Sequence, residues 1–171
     1  VSIEPIKIIA DIIQTYMRLE NGQVMLAYQK FKIPTEGLFV VITAVSDVEI
    51  ARDSYIEDAQ DGGQNEVVDI AMLHEIQIDI MSFDDQARKR RMEVIASLAS
   101  IYSQQKQVAN TIQIARNVMP MTDTSSLEVT QYLSRYTTRV RVAAFHRIVN
   151  GTKEYYDDFT QAVPPSVTVN A

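Results

Sequence analysis

Hydrophobic and polar positions change period several times along this chain. Near the N-terminus Ile6, Ile9, Ala10, Ile13, Tyr16 and Met17 recur every three or four residues, and Ile8 and Ile12 widen the stripe. The pattern predicts a well-buried first helix, with Ser2 as N-cap, Pro5 in the first turn and Asn21-Gly22 as the stop. Residues 24–28 read as a short strand and 34–37 as a turn. Residues 38–45 are apolar on both faces, which predicts a central strand covered on each side. Residues 48–56 alternate weakly, with Val48, Ile50 and Ile56 expected on one face. Asp61-Gly62-Gly63 is a turn signal. Residues 67–83 then alternate cleanly: Ile70, Met72, His74, Ile76, Ile78 and Ile80 against Asp69, Glu75, Gln77 and Asp79. Period two marks a half-buried strand, so residues 48–80 are expected to form a long antiparallel hairpin with an acidic tip.

Ser82-Phe83-Asp84-Asp85 fits a capping box, and its two acids oppose the positive end of the helix dipole. Ala87, Arg91, Val94, Ile95, Leu98, Ile101 and Tyr102 mark one face of a second helix reaching about Lys106. Residues 111–119 are strand-like, with Ile112, Ile114 and Val118 facing one way, and 120–126 read as a loop. In the last long strand, 131–149, Tyr136, Val140, Val142, Ala144, His146 and Ile148 share one face. Arg135, Arg139, Arg141 and Arg147 share the other. The order is α-β-β-β-β-α-β-β: one α+β domain over residues 1–150, a mainly antiparallel sheet flanked by two helices, with a protruding acidic hairpin. Residues 151–171 form a C-terminal arm whose Pro164 and Pro165 exclude a regular helix there.

Composition narrows the function. The chain of 171 residues is 46% hydrophobic and 22% charged, ordinary for a globular protein. No apolar run approaches the roughly 18–20 residues of a membrane span, so no membrane partner is expected. The N-terminal residues lack the basic-then-apolar pattern of a secretory signal. Cysteine is absent, which excludes disulfides and thiolate metal sites and suits a reducing compartment. Asn150-Gly151-Thr152 matches the glycosylation pattern and reads here as a turn. Net charge is −6, opposite to that of a cationic nucleic-acid binder. Residues 47–66 hold seven acids (Asp47, Glu49, Asp53, Glu57, Asp58, Asp61, Glu66) against one base, Arg52, so this segment carries the whole net charge.

Chemistry-bearing constellations are few. His74 and His146, the only two histidines, each fall mid-strand on an apolar face. If the two long strands pair, the rings could meet as a proton-sensitive or metal-binding pair; the plainer reading is two packed histidines with one hydrogen bond each. Glu75 and Asp79 on one strand are about 13 Å apart by strand rise, too far to share a proton. Their simplest use is cross-strand pairing with Arg139 or Arg141, or contact with another subunit. No Gly-x-Ser-x-Gly elbow and no phosphate-binding glycine loop is present. Arg88-Lys89-Arg90-Arg91 reads as a solvated helix face or an intersubunit ion-pair surface, because Asp84, Asp85 and Glu93 flank it and no aromatic residues interleave. No catalytic residue, cofactor or metal is expected. Long charged strands that outrun the core, and a tail with Tyr155, Tyr156, Phe159 and Val167-Thr168-Val169 suited to strand addition, point instead to a ring or stack of subunits.

Three stretches carry a family resemblance: Val24-Met25-Leu26-Ala27-Tyr28-Gln29 followed by Phe39-Val40-Val41-Ile42-Thr43; His74 to Ile80 running into a helix; and Gln131 to Tyr136 leading into Arg139-Val140-Arg141-Val142. With their spacing, over residues 20–150, the chain resembles the tail-terminator (neck-terminator) proteins of long-tailed bacteriophages. It departs from that pattern at Phe83-Asp84, where a glycine often precedes the second helix, and in its acidic hairpin and tail. The resemblance implies a homohexameric virion ring at the tail–neck junction, assembled in the host cytoplasm. Such a ring ends tail-tube polymerisation and joins the tube protein to a neck or head-closure protein. In contractile phages it also touches the sheath. Double-stranded DNA passes through its lumen without sequence-specific binding. On this view Asp53, Glu57, Asp58, Asp61 and Glu66 face the channel or a basic neighbour. Arg88, Arg90, Arg91, Arg139, Arg141, Tyr155, Tyr156 and Phe159 are then contact residues. The alternatives are another neck component (head-closure or tail-completion) and a cytosolic enzymatic or ligand-binding domain using His74 and His146 with Glu75.

Overall fold

A computed structural model of the protein describes residues 4–30, 34, 36–59, 62–128 and 131–151. Helix α1 (Pro5–Met17) buries Ile6, Ile8, Ile9, Ile12, Ile13 and Met17, the broad stripe its sequence announces. Glu4, rather than Ser2, is its N-cap, and Ser2 lies outside the described residues. The helix ends on Arg18 in the left-handed region (φ 53°), whose N–H closes onto the Thr15 carbonyl. Gly22 (φ 92°) turns the chain into β1 (Val24–Leu26).

A mostly antiparallel seven-stranded sheet follows, with three helices among the described residues. Its strands are β1, β2 (Leu38–Asp58), β3 (Gln64–Ser82), β4 (Ile112–Ile114), β5 (Thr122–Asp123), β6 (Ser126–Glu128) and β7 (Gln131–Gly151). The order β1-β2-β3-β7-β4 holds one parallel pair, β1 with β2; β5 and β6 each pair with β7. Helices α2 (Gln86–Leu98) and α3 (Ile101–Ala109) complete the molecule. Among the described residues no helix is long and apolar enough to cross a membrane.

Period two decides the layers. Leu38, Val40 and Ile42 of β2, Ile76, Ile78 and Ile80 of β3, and Tyr136, Val140, Val142 and Ala144 of β7 join the helices in one core. Phe39, Val41, Met81, Met25 and Leu133 form a smaller cluster on the opposite, outer face. The base of β2 is therefore buried on both sides, as its apolar run implies.

Three expectations are corrected. The strands read over 38–45 and 48–56 are one strand of 21 residues. Two β-bulges, at Val45 and Ile50, interrupt its ladder with β3. Each bulge adds an unpaired residue and resets the alternation, so Val48 sits opposite Leu73 on the outer face while Ile56 sits opposite Glu66 on the helix side. The single helix expected from 86 to about 106 breaks at Ala99-Ser100, where Ser100 Oγ accepts the Ser103 N–H and starts α3. The capping box is also displaced. Ser82 Oγ accepts the Ala87 N–H at 2.9 Å from the end of β3, and Asp84 Oδ1 accepts the Gln86 N–H at 2.9 Å, while Asp85 makes no side-chain cap. The bond from Gln86 holds the Asp84 carboxyl below the ordinary carboxylate range.

Candidate assembly interface

From Ala44 to Asp58 every residue of β2 is exposed. At strand rise these 15 residues span about 50 Å, against a radius of gyration of about 15 Å for a compact chain of this length. β3 pairs with β2 on one side and β7 on the other as far as Asn65 and Gly151, so the three strands leave the core together as an arm. Large apolar side chains are exposed along it: Val45, Val48, Ile50, Ile56, Phe145, Ile148 and Val149. Isolated exposed apolar residues need no explanation, but a run of them on an extended sheet marks an interaction surface.

The cross-strand register sorts the acids. Asp53 (opposite Asp69) and Glu57 (opposite Asn65) lie on the outer face. Asp47, Glu49 and Asp58, opposite His74, Met72 and Gln64, lie on the helix side together with Glu66. The acids expected to face one channel or one neighbour are thus divided between two faces. Asp61 lies outside the described residues, as do Tyr155, Tyr156 and Phe159.

The arginines of β7 are mostly engaged within the chain. Arg139 and Arg141 share Glu75, at 3.1 and 3.7 Å. Arg147 pairs with Glu57 and lies over the Tyr55 ring, so β2 and β7 are clasped across Val67. Nearer the core, Asp79 is 2% exposed. It accepts hydrogen bonds from Arg135, Thr137 and Gln77, which answer its lone pairs. Glu75 pairs as expected, whereas the partner of Asp79 is Arg135.

Helix α2 sorts its basic run differently from the expectation of one shared surface. Arg90 reaches Glu93 through two nitrogens and donates to the Met17 carbonyl at 2.8 Å, tying α2 to the end of α1. Arg91 lies 5.0 Å over the Tyr136 ring. Lys89 pairs with Asp85, and Arg88 stays exposed. Arg88, Arg91, Asp84, Asp123, Tyr132 and Tyr136 line an open cleft of about 1020 Å³ with Phe83 and Met121. Hydrogen bonds from Ser125 hold the Asp123 carboxyl below its ordinary range.

The two histidines do meet. His74 Nδ1 is 2.6 Å from Asp47 Oδ1, and His74 Nε2 is 3.4 Å from His146 Nε2, with the rings 72° apart. Nδ1–H of His74 donates to Asp47; with a neutral His74 ring its Nε2 accepts from His146, and with a charged ring it donates to it. Sequence reasoning missed Asp47, because the bulge at Val45 changes which face it shares. Among the described residues no group of three or more His, Asp or Glu side chains gathers as metal ligands.

No protein-family model matches this chain, and no curated protein matches it.

Proposed function

We propose that this chain is a ring-forming subunit at the head-proximal end of a bacteriophage tail. The ring ends tail-tube polymerisation and joins the tube to the neck while DNA passes through the lumen. The observation that carries this reading is the three-stranded arm: a long exposed sheet with apolar residues on it has no use for a solitary domain and suits a subunit that meets neighbours. The partners are further copies of the chain, the tube protein, a neck or head-closure protein and, in contractile tails, the sheath. Acids on whichever arm face lines the lumen repel the phosphate backbone and keep DNA moving.

A second reading draws on the Asp47–His74–His146 chain, which could move protons in a ligand-binding or enzymatic domain. One experiment separates the two. Light scattering measures the mass of the protein alone and mixed with purified tail tubes, and electron microscopy images the mixture. Rings, or caps at one tube end, support the terminator reading; rings that ignore tubes move the protein to another neck position. A monomer indifferent to tubes overturns the proposal and directs metal analysis and a ligand screen to the histidines.

A further inference from the structure

The arm has two edges, and they differ. Beyond the three residues that pair with β1, the outward edge of β2 has no partner from Ala44 to Asp58 among the described residues. On the other side, β4, β5 and β6 cover β7 only up to Ala144, and no described strand pairs with the outward edge of 145–151. An edge strand offers a row of unpaired N–H and C=O groups and pairs readily with another chain unless protected. Between 44 and 58 two of the usual protections, proline and lysine, are missing and the strand is long; the bulges at Val45 and Ile50 and the acids remain, so a partner edge has to answer that charge.

The two edges are complementary in charge. Residues 46–58 of β2 carry Asp47, Glu49, Asp53, Glu57 and Asp58 against Arg52 alone. Residues 139–151 of β7 carry Arg139, Arg141 and Arg147 and no acid. Within one chain β3 stands between them. Of the three arginines, two share the single carboxylate of Glu75, which leaves positive charge over on the β7 side. Asp53 and Asp58 have no ion-pair partner among the described residues. The two edges also run in the same direction, because β2 and β7 are both antiparallel to β3.

We infer that arms of neighbouring copies pair edge to edge, β7 of one copy lying parallel to β2 of the next. This contact is head-to-tail, so it repeats: each copy offers one edge and accepts on the other, and repetition closes a ring or continues as a filament. Tyr55, Phe145 and Val149 on the outer face and Ile56 and Ile148 on the helix side then flank a continuous sheet instead of its margin. The closed form rests on the ring reading above; the pairing itself does not.

The chain lacks cysteine, so engineered cysteines report the pairing without background. Ser54 and Ile148 stand level on the same face, each opposite Val68, and both are exposed. Ser54→Cys protein is mixed with Ile148→Cys protein under mild oxidant, with Arg52→Cys and Ile56→Cys replacing Ser54→Cys to cover the adjacent registers. The expected result is a disulfide heterodimer at one of the three positions, with neither variant cross-linking alone. Homodimers of a single variant would show like edges meeting and overturn the inference. So would absence of cross-links at all three registers, whether light scattering then finds rings or monomers. Cross-links in a protein that leaves tube ends uncapped would keep the inference and remove the terminator reading.

Discussion

At the scale of single residues, Asp79 shows how the outer face of the sheet tolerates a buried charge. Its carboxylate is surrounded by Arg135, Thr137 and Gln77, and removing it strands an arginine beside an apolar cluster. Asp79→Ala should cost about 3 kcal/mol in urea unfolding; a loss under ~1 kcal/mol would mean that Arg135 finds water instead. Asp84 acts by a different route. Its folded carboxyl titrates below the ordinary value because the Gln86 N–H donates to the charged form. A depressed folded pKa contributes stability above the unfolded pKa and loses it as pH falls through the folded one. The side chain is exposed, so the contribution is small. Asp84→Ala should lower stability by about 0.5–1 kcal/mol at pH 7. That difference should narrow as the pH drops below about 4. Equal stability gaps at pH 7 and pH 3 would disprove this account.

Among elements, regular period was legible and its interruptions were not. The clean alternation of β3 and of β7 placed every named side chain on the correct face, because a strand with one buried face admits a single phase. The weak alternation over 48–56 was the trace of the bulge at Ile50, and the gap before it that of the bulge at Val45; no local residue preference announces either. The break between α2 and α3 was equally silent: Leu98, Ile101 and Tyr102 continue the helical stripe, and the stop depends on Ser100 capping a new start. Ser100→Ala should therefore destabilise the protein by about 1 kcal/mol, read by thermal unfolding; an unchanged melting temperature would show that packing alone sets the break. Of the site, pairing of Glu75 with the β7 arginines was readable from face and charge. Asp47 at His74 was not, since that contact spans 27 residues and depends on the bulge at Val45.

At the scale of the whole molecule, the arm links fold and function. Because its acids lie on two faces, they can be neutralised separately. Asp53→Asn with Glu57→Gln alters the outer face; Asp58→Asn with Glu66→Gln alters the helix side. Both pairs of positions are exposed, so circular dichroism should report unchanged folds. On the proposed terminator reading, only one pair should impair ring assembly, tube capping or infectivity, and that pair would identify the face turned toward a channel or a basic neighbour. Equal, undiminished function in both would remove the acids from the mechanism. The bulges of β2 carry one more consequence. They act as phase marks: each advances the chain by a residue without advancing the ladder, so the strand beyond Ile50 has been turned over twice. Deleting Val45 alone would remove the first mark and nothing else: Ala44 and Ser46 would become neighbours opposite Ile76 and Glu75, and the rest of the arm would keep its faces. Deleting Ile50 as well would leave a regular ladder along the whole arm, with every cross-strand pair kept and only the local twist of the bulges lost.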